Sequence, residues 1–149
     1  MTQSLYFDDF TVGFTFTTAS RTLTEDDIVT FARQYDPQPF HIDPVAAATS
    51  LYGGIIASGF HTLTTAFALS LETGLWAAAS LGSPGMQEVK WIKPVRPGDT
   101  LTVRAEVTGS DPSKTRPDMG RTHMTYQVFN QAGDEVMRWH TTHLLKRKA

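Results

Sequence analysis

An aspartate and a histidine five positions apart, Asp36 and His41, lie in the segment Tyr35-Asp36-Pro37-Gln38-Pro39-Phe40-His41-Ile42-Asp43-Pro44. Imidazole titrates near neutral pH and a neighbouring carboxylate tunes it, so such a pair can hold one water molecule and move its proton. Pro37 and Pro39 fix their own φ and push Asp36 and Gln38 toward extended conformations. The expectation is an ordered, non-helical strap that presets how Asp36 faces His41. A plainer reading stands beside it: Asp before Pro opens turns, and a buried histidine is often only a satisfied core residue.

Further along, Gly53-Gly54-Ile55-Ile56-Ala57-Ser58-Gly59-Phe60-His61 leads into a stretch of helical periodicity. Phe60, Leu63, Phe67 and Leu71 follow the helical spacing, with Ala66 and Leu69 widening the apolar surface, so a buried helix is expected. Gly59 falls at its first turn, where backbone N–H groups lack intrahelical partners and the dipole favours negative charge. A glycine there either lets a ligand carbonyl approach the backbone or serves ordinary helix–sheet packing.

These features together resemble the MaoC-like dehydratases, including the R-specific enoyl-CoA hydratases. The resemblance runs from about Leu23 to the C-terminus. It is carried by the strap at Asp36, Pro39, His41, Asp43 and Pro44, by Ala57-Ser58-Gly59, and by the run from Lys90 through Trp91 and Pro94 to Thr100. Gln38 and Ser58 depart from the family's pattern, which commonly has Asn and His there. The resemblance implies an α+β hot-dog fold, an antiparallel sheet wrapped around a long central helix. It also implies hydration of a trans-2-enoyl thioester to an R-3-hydroxyacyl thioester. Asp36 and His41 would hold the water, and Gly59, with Ser58 and His61 beside it, would serve the thioester oxygen. Coenzyme A or phosphopantetheine would enter only as part of the substrate, with no further cofactor and no metal.

The elements that must position these groups are legible around them. Thr24 reads as an N-cap with Asp27 three residues on, opening a helix that buries Ile28, Phe31 and Ala32 and ends near Tyr35. Asp43 and Pro44 open a short helix, Val45 to Thr49. Aromatic alternation from Tyr6 to Thr18 suggests a strand with Phe14 and Phe16 on one face. After Gly85 the pattern turns to strands: Leu101 to Val107, Met124 to Val128, and Val136 to Leu145 beyond a Gly133-Asp134 turn. Strands following a long helix indicate an antiparallel α+β arrangement.

The 149 residues, 40% of them hydrophobic, suit one domain spanning 1–149. A formal charge of −2 gives no electrostatic case for nucleic acid, and the absence of cysteine excludes thiolate chemistry. The stretch from Met1 to Asp9 has neither a basic region nor a long apolar run, so a cytoplasmic chain with no membrane partner is expected. The resemblance implies sheet-to-sheet pairing of two subunits, and the free edges and apolar surface of a single sheet agree with a homodimer. His123, His140 and His143 form no evident metal constellation, and the last two have opposite strand parity. The polar segment Ser110 to Arg121 reads as a loop, either solvated or reaching carrier phosphates through Lys114, Arg116 and Arg121. Two other functions remain. A thioesterase would use Glu72, the acidic residue of the central helix, although it lies about 20 Å from Gly59 along the helix. A non-catalytic acyl-thioester binding module is the third.

Overall fold

Leu101, Val103, Ala105 and Val107 are all buried, while the intervening Thr102, Arg104 and Glu106 are not, as a strand covered on one face requires. In the computed structural model, which describes residues 3–148, this strand is β3 (Thr100–Pro112). Around it stand β1 (Thr15–Thr22), β2 (Gly85–Trp91), β4 (Met119–Phe129) and β5 (Glu135–Lys146). The order is β1-β3-β4-β5-β2, every pairing antiparallel. The first two residues of the N-terminal stretch read above lie outside the described residues. Among those described, no helix is long and apolar enough to cross a membrane.

Four helices precede β2: α1 (Glu25–Tyr35), α2 (Pro39–Ile42), α3 (Pro44–Ala48) and the long α4 (Gly59–Glu72). The α1 capping box forms as its sequence predicts. Asp27 N–H donates to Thr24 Oγ1 at 3.1 Å and Thr24 N–H to Asp27 Oδ2 at 3.0 Å, an arrangement worth about 1 kcal/mol. Asp43 accepts from Val45 and Ala46 N–H and starts α3. Its carboxylate is structural.

Three expectations need correction. The strand expected from Tyr6 begins only at Thr15, because a 3₁₀ turn (Phe7–Asp9) and Gly13 at φ 94 precede it. The polar segment Ser110 to Arg121 is mostly strand: β3 and β4 extend to Pro112 and Met119, and only 113–118 form the loop. Polar residues there occupy the solvated face of a long hairpin, which hides its periodicity.

The third correction concerns α4. Its buried face carries Thr62, Thr65, Ala66, Leu69 and Ser70, whereas Phe60, Phe67 and Leu71 are roughly half exposed. The sheet covers only one side of this helix, and the small residues are the ones that permit close packing. The large apolar stripe faces outward.

One irregularity positions the site. The β2–β5 register shifts by one residue between Gln87 and Lys90, where Glu88 has φ 51. Met86 and Trp91 are five positions apart and would face opposite sides of a regular strand. The extra residue turns both toward α4.

Candidate active site

Pro37 cannot follow a helical residue comfortably, and α1 ends at Tyr35, leaving Asp36 between them. Asp36 is the C-cap at φ −154 and ψ 66, its N–H still donating to Ala32 O at 2.8 Å. The next segment is not the wholly extended strap expected. Pro39 takes the first position of a one-turn helix, where its missing N–H costs nothing, and His41 lies within that turn. The turn swings His41 back toward Asp36.

His41 is 4% exposed. Its Nδ1 donates to Ile56 O at 2.6 Å, and since a carbonyl only accepts, that nitrogen carries the hydrogen. In the neutral ring Nε2 is therefore a lone pair, and it lies 3.2 Å from Asp36 Oδ2. Two acceptors face one another there, an arrangement satisfied by a proton between them or by a water that donates to both from the cavity side. Ile56 is fixed in turn, its N–H donating to Phe40 O at 3.1 Å, and Ala57 N–H donates to Val95 O at 2.8 Å.

The Asp36 carboxylate accepts from Gln38 Nε2 at 2.6 Å on Oδ1 and from Ser58 Oγ at 2.7 Å on Oδ2. Burial alone pushes this carboxyl up, but the Gln38 and Ser58 donors, helped by the His41 imidazole, outweigh it and hold the group below its ordinary value. Asp36 is thus kept ionised beside the imidazole.

Ser58 and Gly59 divide their work. Ser58 is fully buried and caps α4, its Oγ accepting from Phe60 N–H at 3.3 Å while donating to Asp36. Gly59 lines the cavity, and its N–H has no protein acceptor among the described residues. A Cβ at Gly59 would overlap the Trp91 indole. Close packing therefore requires this glycine, and the open N–H of a helix start stands beside it.

The cavity holds about 390 Å³ and is bounded by Asp36, His41, Gly59, Phe60, Trp91 and Tyr52, among others. In the sequence Trp91 stands out only within the run that carries the family resemblance, and nothing there marks it as a wall of the cavity. The Ile56 carbonyl was also missed, since a backbone group has no side-chain signature. Lys93, a cation at the same rim, is paired with Asp134 at 2.6 Å.

Other candidates lie elsewhere. His61 does not line this cavity; it stacks on Phe31 at 4.5 Å in a separate cleft beside Asp27 and Tyr35. Lys114 and Arg116 sit at the β3–β4 tip, and Arg121 on the adjoining strand end opposite Asp111, with Arg116 paired to Asp118. Pro112 is nine residues along β3 from Val103, which shares a row with Val128, Met137 and Trp91. At about 3.3 Å per residue the tip is thus roughly 30 Å from the cavity of the same chain. Glu72 is ion-paired with Arg21 at the far end of α4 and lies outside the cavity.

A five-stranded antiparallel sheet around a central helix is the hot-dog fold, shared with the MaoC-like dehydratases. Residues 9–128 match the model of the MaoC-like domain, and the chain belongs to that family. It is 35% identical over 140 residues to YdeM of Bacillus subtilis, covering 94% of this chain and 98% of YdeM. It is 34% identical over 114 residues to the (R)-specific enoyl-CoA hydratase of Rhodospirillum rubrum, covering 73% of this chain and 74% of that protein. Among solved structures, the MaoC-like dehydratase from Rhodospirillum rubrum superimposes with a TM-score of 0.91 at 35% identity, covering 98% and 99% of the two chains.

Proposed function

We propose that this protein is a hydro-lyase that adds water reversibly to a trans-2-enoyl thioester to give an R-3-hydroxyacyl thioester. The observation that carries the proposal is the locked His41 tautomer, which leaves the Nε2 lone pair 3.2 Å from an ionised Asp36 oxygen. A water that donates to the pair from the cavity side gives up a proton to it as its oxygen attacks Cβ. Charge then develops on the thioester oxygen, where the free Gly59 N–H at the positive end of α4 donates. The proton held by the pair passes to Cα, so one water is added across the double bond. Elimination follows the same path backward. The name of the Rhodospirillum rubrum enoyl-CoA hydratase supports the substrate class, and coenzyme A or a phosphopantetheine arm belongs to the substrate.

We further propose that the chain acts as a homodimer. β2 is a largely exposed edge strand, and Phe60, Phe67, Leu71, Met86, Trp91 and Ile92 expose between 41% and 57% of their surface on or near it. Pairing two such edges would cover an unpaired strand and this apolar surface together.

The test is a panel of enoyl-CoA and saturated acyl-CoA thioesters, with loss of the conjugated enoyl absorbance read separately from thiol release. Enoyl loss without thiol release is expected. Thiol release abolished by Glu72→Gln would instead make the protein a thioesterase. Light scattering at micromolar concentration should give the mass of two chains, and a monomer mass would overturn the dimer.

A further inference from the structure

A second cavity, of about 350 Å³, lies between α4 and the β2–β5 end of the sheet. Gly59, Trp91 and Val136 border the first cavity; Leu63, Phe67, Met86 and Trp139, further along the same three elements, border the second. At about 1.5 Å per residue, Phe67 is some 12 Å along α4 from Gly59, the reach of a chain of roughly ten carbons. These walls are apolar, but the far end is not. There His143, nine-tenths buried, lies against Tyr126, whose hydroxyl is 2.7 Å from His143 Nε2.

That imidazole is unusually well held. It stacks on Trp76 at 4.4 Å, while Tyr126 stacks on Trp139 at 4.7 Å. Nδ1 has no protein partner, yet it is not among the fully sealed, unpartnered atoms of the described residues. His143 lines this cavity, so the unpartnered nitrogen is available to a molecule that fills it. Burial depresses the His143 pKa to about 4, so at neutral pH the ring is uncharged and its free nitrogen offers a hydrogen bond without a charge. No Asp, Glu, Lys or Arg lines this cavity. An apolar slot ending in a neutral hydrogen-bonding group matches a hydrocarbon chain with an uncharged oxygen near its far end. It fits a plain chain poorly, because burying an unmatched polar group costs free energy.

We propose that this second cavity takes the distal part of the acyl chain and selects chains bearing a hydroxyl or keto oxygen about ten or more carbons from the thioester, with His143 as the specificity-determining residue. The proposal rests on the hydro-lyase function for the identity of the chain, and its test separates the two.

The test compares trans-2-butenoyl-CoA, too short to reach the second cavity, with trans-2-dodecenoyl-CoA and its ω-hydroxy derivative. In the wild type, kcat/KM for the ω-hydroxy chain should exceed that for the plain chain by about tenfold, the value of one well-made hydrogen bond. His143→Phe should erase that preference and leave butenoyl turnover unchanged. Should that variant misfold, Met86→Trp, which fills the slot from its edge, should depress turnover of both long chains and spare the short one. Equal kcat/KM for the two long chains in the wild type, or long-chain turnover indifferent to Met86→Trp, would overturn the proposal. Binding of free ω-hydroxydodecanoate, read by quenching of Trp76 and Trp139 emission and lost in His143→Phe, is a readout that needs no catalysis. If none of the three enoyl-CoA chains is hydrated, the hydro-lyase function falls and this titration alone decides the cavity: saturable quenching supports it and none overturns it.

Discussion

His41 and Asp36 meet as two acceptors: Nε2 lies 3.2 Å from Oδ2 while the Nδ1 hydrogen is committed to the Ile56 carbonyl at 2.6 Å. Under the proposed hydro-lyase function the two side chains act as one proton-holding unit. Asp36→Asn and His41→Gln should each lower kcat for hydration by about 10²–10⁴, and the double variant should be little worse than the poorer single, as groups acting together are non-additive. Circular dichroism should show all three folded. Full activity in a folded His41→Gln protein would refute the mechanism.

Ser58 donates to Asp36 Oδ2 and caps α4 with the same oxygen. Ser58→Ala removes one of the donors that keep the Asp36 pKa low, so that pKa must rise. The acidic limb of the kcat/KM profile should therefore move to higher pH. Loss of the cap should cost about 1 kcal/mol in denaturant unfolding. An unshifted acidic limb accompanied by the stability loss would reduce Ser58 to a cap alone.

Gly59 and Trp91 should be energetically coupled. Gly59→Ala drives a methyl into the indole and should destabilise by about 1–3 kcal/mol, the usual cost of overpacking. In Trp91→Phe the smaller ring leaves room, so the double variant should be more stable than the sum of the two singles predicts. Strict additivity in unfolding midpoints would show that the contact yields freely.

Stability should also fall on acidification above the range of the carboxylates. His143 binds a proton readily when unfolded, near its ordinary pKa of 6.5, but only at about 4 when folded. Between these values the unfolded chain holds more protons, so stability rises with pH and is lost as pH falls. The full difference is at most about 3 kcal/mol. Burial lowers the His61 pKa as well, against the opposing influence of Asp27, and adds in the same direction. In His143→Phe the slope of unfolding free energy between pH 6.5 and 4 should flatten; an unchanged slope would remove His143 from the account.

Much of this was legible in the sequence where neighbours in the chain are neighbours in space. Thr24 with Asp27, Asp43 with Pro44, and the Asp36/His41 spacing are local, and each forms as read. The one-turn α2 is hidden because Pro37 and Pro39 read as breakers, although Pro39, like Pro44, begins a turn. Trp91 beside Gly59, Ile56 O beside His41, and Tyr126 beside His143 depend on long-range pairing and on a bulge whose extra residue reverses the facing of β2. Side-chain period cannot disclose such a reversal. The outward stripe of α4 was invisible for a related reason: periodicity gives a face but not what covers it.

The place of β2 in the sheet bears on how the protein is made. β2 lies at the edge beside β5 alone, although β3 and β4 come between them in the chain. During ribosomal synthesis Asp36, His41, Ser58 and Gly59 all emerge early, and their mutual contacts lie within 24 residues of chain. The segment bearing Trp91 has no backbone partner until Glu135–Lys146 has left the exit tunnel. Until that strand is in place the first cavity lacks the walls that Trp91 and Val136 supply. Completion of the last strand closes the chamber.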